Sequence, residues 1–109
     1  MSYKAFAVAA GENTHQCDAG GAFIPGAQKF AHAFSDGSYK TFNNLSNAKR
    51  NFLDAIEQGP SGLDLFAYFG HGYKTQLGSA SIYTEKDIDE FARILRPKSV
   101  LQYSDNKLD

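Results

Sequence analysis

His71 is the residue of this sequence best placed to do chemistry. It is fenced by Gly70 and Gly72 and follows the densest apolar run of the chain, Leu63-Asp64-Leu65-Phe66-Ala67-Tyr68-Phe69. Glycines on both sides open backbone angles closed to other residues and let a substrate chain come close to the imidazole. The same tripeptide also fits a plain strand-ending turn with a solvated histidine. A second group of reactive side chains lies near the N-terminus, where His15-Gln16-Cys17 offers two metal ligands. A stable zinc site takes three or four ligands, and His32 and His71 belong to separate elements, so neither a metal nor a cofactor is expected.

The elements that must position His71 follow from the patterning around it. Only Asp64 interrupts the apolar run 63–69, which therefore lacks the alternation of a half-exposed strand and predicts a strand covered on both faces, as in parallel α/β sheets. Open sheets of this kind bind ligands beyond the carboxyl ends of their strands. His71 falls there. Residues 3–10 form another short apolar run, stopped by Gly11, and predict a first buried strand. From 11 to 26 the composition is polar and glycine-rich, with Asn13, Asp18, Gly20, Gly21 and Pro25 as breakers, so a long loop on the functional rim is expected.

Further along, Ala27, Phe30, Ala31 and Phe34 recur at helical spacing and predict a helix over about 26–35 with His32 on its solvent side. Residues 38–42 have the β-branched and aromatic content of a short strand, polar enough to lie at an edge. Ser46 or Asn47 is the candidate cap of a second helix, about 47–58, whose Ala48, Phe52, Ala55 and Ile56 share a face and which Gly59-Pro60 stops. Residues 73–83 have no helical period and read as a loop or irregular hairpin. Thr84 and Asp87 form a capping-box pattern ahead of Ile88, Phe91, Ala92 and Leu95, predicting a third helix over about 85–95 stopped by Pro97. Residues 99–103 predict a fourth strand. The alternation implies one domain, 1–109, of three-layer α/β/α architecture, with a mostly parallel sheet in the order 2-1-3-4 and its strand ends gathered on one edge.

Composition narrows the function classes. The chain has 109 residues, 42% apolar and 21% charged, with a formal charge of -1, a balance that suits a single folded domain with a modest core. Lysines and arginines are scattered rather than gathered into a basic stripe, so neither nucleic acid nor an anionic membrane is an expected partner. No apolar run approaches the roughly 20 residues of a spanning helix. The single cysteine, Cys17, excludes an internal disulfide framework and fits a reducing compartment, so a cytoplasmic protein is expected.

Taken in order, four segments resemble the first part of the caspase-like peptidase domain, the family that includes caspases and metacaspases. They are Tyr3-Lys4-Ala5-Phe6-Ala7-Val8, Ile24-Pro25-Gly26-Ala27, the run from Asn44 through Ala48 and Phe52 to Ile56, and Asp64-Leu65-Phe66-Ala67-Tyr68-Phe69-Gly70-His71-Gly72. The resemblance implies peptide-bond hydrolysis by a Cys/His dyad, with a peptide or protein as substrate. His71 would be the acid/base, accepting a proton from a thiol and later protonating the departing amine, and Gly72 would offer an oxyanion-binding N–H. At the place of the nucleophilic cysteine this sequence has Ser104, whose far higher pKa makes the alkoxide negligible. The family's domain continues with two more core strands, so the resemblance implies a domain truncated after its fourth strand and inactive as it stands; a truncation, a frameshift near residue 101 or an inactive relative would all look like this.

The loop 11–24, which shapes the specificity pocket in the family, carries Glu12 and Asp18 and no Arg or Lys. A basic substrate residue is therefore the better fit than an acidic one, and plain solvated carboxylates fit as well. Cys17 lies on the same loop, at the sheet edge that holds His71, so a substitute Cys17–His71 pair is conceivable beside an incidental thiol. Two other function classes compete. One is a non-catalytic interaction module or decoy, pairing with an intact peptidase or with itself through the open sheet edge at 99–103. The other is a small flavodoxin-like binding domain, disfavoured because no glycine-rich phosphate loop follows the first strand.

Overall fold

The computed structural model describes residues 3–11, 22–71, 77–78, 80–82 and 84–98. The predicted fourth strand at 99–103 lies outside them. The described elements run β1 (Lys4–Ala10), α1 (Phe23–His32), β2 (Asp36–Phe42), α2 (Ala48–Gln58), β3 (Leu65–Phe69) and α3 (Glu85–Leu95), followed by a 3-10 turn at Arg96–Lys98.

The strands form a three-stranded sheet in the order β2-β1-β3, and both pairings are parallel. β1 is central because from Ala5 onward its sequence has no polar side. Every residue from Ala5 to Ala10 is buried. Its side chains alternate between two cores: Phe6, Val8 and Ala10 meet Phe42, Phe52, Leu53 and Ile56, while Ala7 and Ala9 meet Ala27 of α1. One core therefore holds α2, with Phe91, Ile94 and Leu95 of α3 packed against it, and α1 covers the other face. This is a three-layer α/β/α arrangement, as the alternation of elements predicts.

α1 begins earlier than its apolar period indicates, at Phe23 rather than near 26. Pro25 is not a breaker here. It is the third helical residue, where a missing N–H removes a donor that has no helical partner anyway. Gly26 donates the first full-turn bond to the Ala22 carbonyl, 2.9 Å, and an added Cβ at Gly26 would come within 3.0 Å of the Phe69 ring. That glycine serves close packing of α1 on β3. β2 likewise starts at Asp36 rather than 38. Gly37 lies so close to the Ala31 carbonyl that any Cβ would overlap backbone, which lets the end of α1 and the start of β2 touch.

α2 keeps its predicted span, but no side chain caps it. Asn47 sits at the cap position with φ 52° and ψ 39°, the left-handed region that asparagine tolerates better than most residues. The preceding loop is tied differently. The Asn43 carboxamide oxygen accepts from the Leu45 N–H (2.8 Å), and Asn51 Nδ2 donates to the carbonyls of Asn43 (3.0 Å) and Ser46 (2.9 Å).

β3 is shorter than the apolar run, starting at Leu65, and it is not covered on both faces: Leu65 is exposed and residues 66–69 are half-buried. It is one of the two outer strands of the described sheet, and outer strands have one fewer neighbour to cover them. α3 has the predicted capping box, with the Asp87 N–H donating to Thr84 Oγ1 and the Thr84 N–H to Asp87 Oδ2, both 3.1 Å. Its apolar face is turned so that Phe91, Ile94 and Leu95 pack on the core while Ile88 stays 39% exposed. Among the described residues no helix is long and apolar enough to cross a membrane.

Candidate functional site

The parallel register carries the carboxyl ends of the strands to one edge. Ala10 pairs with Phe42 and Ala9 with Phe69, so Gly11, Asn43 and the Gly70-His71 turn all leave the sheet there. The Gly11 N–H donates to the Phe42 carbonyl at 2.7 Å, closing β1 against β2. His71 is exposed at this edge, two residues beyond the end of β3.

Three neighbours set the position of His71. The Tyr68 hydroxyl donates to the His71 carbonyl at 2.8 Å, folding the strand end back on itself. Gly70 lies beneath that hydroxyl, where a Cβ would overlap the tyrosine oxygen unless the Tyr68 side chain shifted. Tyr68 is in turn braced edge-on by Phe52, with ring centroids 5.5 Å apart at 81°. Phe23, the first residue of α1, meets the imidazole nearly perpendicularly, with centroids 5.1 Å apart at 88°.

The third neighbour is the segment around Gly78, where an added Cβ would sit 3.8 Å from His71 Cβ. Leu77 and Ile82 form an antiparallel bridge there, and Ser81, at φ 57°, donates its N–H to the Gly78 carbonyl at 3.1 Å. The irregular hairpin expected after β3 is thus present in its described part, anchored by buried Ala80 and Ile82. It packs beside the histidine turn.

Of the sequence-predicted site residues, His71 is the described one. Glu12, Cys17, Asp18, Gly72 and Ser104 lie outside the described residues, as does His15, so the pairing of His71 with Ser104 or Cys17 does not enter the geometry. His32 is exposed on α1, as expected from its helical position. Among the described residues no three His, Cys, Asp or Glu side chains come together in a way that could hold a metal ion.

No family model, curated protein or solved structure matches this chain. An exposed imidazole, held by its main chain to Tyr68 and flanked by an aromatic ring, can exchange a proton with a group docked along the strand ends. Tyr68 and Phe23 were not singled out by sequence reasoning. Tyr68 precedes His71 by three residues, a spacing that could have flagged it, whereas Phe23 lies on the far side of the polar loop and no local pattern connects it to the histidine.

Proposed function

We propose that the chain is a caspase-like, peptidase-type domain of the cytoplasm that presents His71 to a peptide but lacks the thiol its dyad requires, and so does not cleave peptide bonds by itself. The observation that supports this reading is the exposure of His71 just past the third strand of a parallel β2-β1-β3 sheet, the location the resemblance assigns to the acid/base. There the imidazole would take a proton from an attacking group and return it to the leaving amine. With serine at 104, the attacking group keeps its proton at neutral pH, and the histidine has no thiolate to generate.

The test has two parts. Peptides with Arg, Lys or Asp before the scissile bond are offered to the native chain and to Ser104→Cys, His71→Ala and Cys17→Ala, and the expected result is no turnover by the native chain and little by Ser104→Cys. Turnover by the native chain that vanishes in His71→Ala would overturn the inactive reading, and its further loss in Cys17→Ala would assign the nucleophile to Cys17. In the second part, the His71 ring resonances are followed by NMR while the same peptides are added. Resonances that never move would remove the peptide-facing role.

A further inference from the structure

We infer that two copies of this chain join edge to edge through β2, with the two β2 strands antiparallel about Ser38, so that one sheet continues across the dimer. In the described sheet β2 pairs with β1 alone. The Phe42 carbonyl points at β1, where it accepts from the Gly11 N–H. Backbone groups alternate sides along a strand, so Gly37, Tyr39 and Thr41 aim their N–H and C=O groups away from the sheet. An antiparallel strand centred on Ser38 sets Gly37 opposite Tyr39 of the second copy, and these two residues exchange both backbone hydrogen bonds on each side of the dyad.

The side chains choose the same register. Asp36, Ser38 and Lys40 share the sheet face of Phe42, and Asp36 and Lys40 are both exposed. Among the described residues neither takes part in an ion pair. With the dyad at Ser38, Asp36 faces Lys40 of the second copy and Lys40 faces its Asp36. Both pairs occupy non-hydrogen-bonded positions, where facing side chains lie closest, about 4.5–5.5 Å between Cβ atoms. Moving the dyad to residue 36 opposes two aspartates, and moving it to residue 40 opposes two lysines. Beside the strand, an open groove of about 300 Å³ between β2 and α2, lined in part by Lys40, Asn43, Asn51 and Gln58, leaves this flank clear for the partner.

A charge-swap series read by sedimentation equilibrium tests the interface, with circular dichroism confirming that each variant is folded. The native chain should form a concentration-dependent dimer. Lys40→Asp and Asp36→Lys should each raise the dissociation constant by about tenfold, because facing pairs turn from attractive to repulsive, and the double variant should restore native dimerisation. In a Cys17→Ser background, Ser38→Cys should oxidise to a symmetric disulfide, since facing Cα atoms about 4.5 Å apart fall within disulfide geometry. A native chain that stays monomeric at every concentration, whether this edge then serves another partner or none, overturns the proposal. So does a dimer indifferent to the single swaps, a double variant that fails to recover, or a Ser38→Cys chain that does not cross-link.

Discussion

Lys4 and Asp64 exchange two hydrogen bonds: the Lys4 N–H donates to Asp64 Oδ2 and the Asp64 N–H donates to the Lys4 carbonyl, both at 2.9 Å. The one charged residue in the apolar run before His71 is therefore a fastener between the starts of β1 and β3. It sets where β3 begins, one residue later at Leu65, and so sets the distance along the strand to His71. Asp64→Ala should lower stability by about 1 kcal/mol, the ordinary net worth of such a bond, and Asp64→Asn by less, since its carboxamide oxygen can still accept. Urea unfolding curves of the three proteins measure both.

Lys98 closes the end of α2 from a distance. Its Nζ donates to the carbonyls of Glu57 (2.6 Å) and Gly59 (3.0 Å), and its own carbonyl accepts from the Leu63 N–H at 2.8 Å. A cation is favourable at the negative end of a helix, where carbonyls lack helical partners. Lys98→Met keeps the aliphatic stem and removes the donor. It should cost about 1 kcal/mol, with faster amide exchange in the residues linking α2 to β3; unchanged exchange there would show that the segment is held by other contacts.

α2 and α3 are joined by the ion pairs Lys49–Asp87 (2.8 Å) and Arg50–Glu90 (3.5 Å). The Asp87 hydrogen bond, first among the causes, raises the Lys49 pKa above its ordinary 10.5. A raised folded-state pKa means that the pair's contribution is fully present below 10.5 and is lost as pH rises past that value. Melting temperatures on either side of pH 10.5 should fall more steeply for the native chain than for Lys49→Met. Added salt should shrink the difference, because Lys49 is exposed enough to be screened.

Phe52 is the hub of the larger core. Its ring lies 5.4 Å from Phe42, 5.5 Å from Tyr68 and 5.4 Å from Phe91, so it joins β2, the histidine-bearing strand and α3. Phe52→Ala should cost about 3–5 kcal/mol through lost burial and the cavity left behind. Domains of this kind are held by only about 5–15 kcal/mol, so a large drop in melting temperature is expected. Phe52→Leu should fall between the two.

The sequence by itself determined the order and kind of the described elements. An all-apolar run such as 5–10 has no polar face to present and must become a central strand, and the helical recurrence of Ala48, Phe52, Ala55 and Ile56 predicts a face that the structure buries. The alternation of these elements was enough to make the sheet parallel and to bring His71 to the carboxyl edge. What tertiary structure decided lies in contacts between residues far apart in the chain. Pro25 looks like a breaker locally but lies in the first turn of α1, where its missing N–H removes no helical bond. β3 looks like a buried strand by composition but is half-exposed in the described sheet, because burial depends on neighbours and not on the strand's own residues. Phe23 against His71, Lys98 on the end of α2 and Lys49 with Asp87 leave no periodic trace, since periodicity records which face of an element is apolar and says nothing about which other element that face will meet.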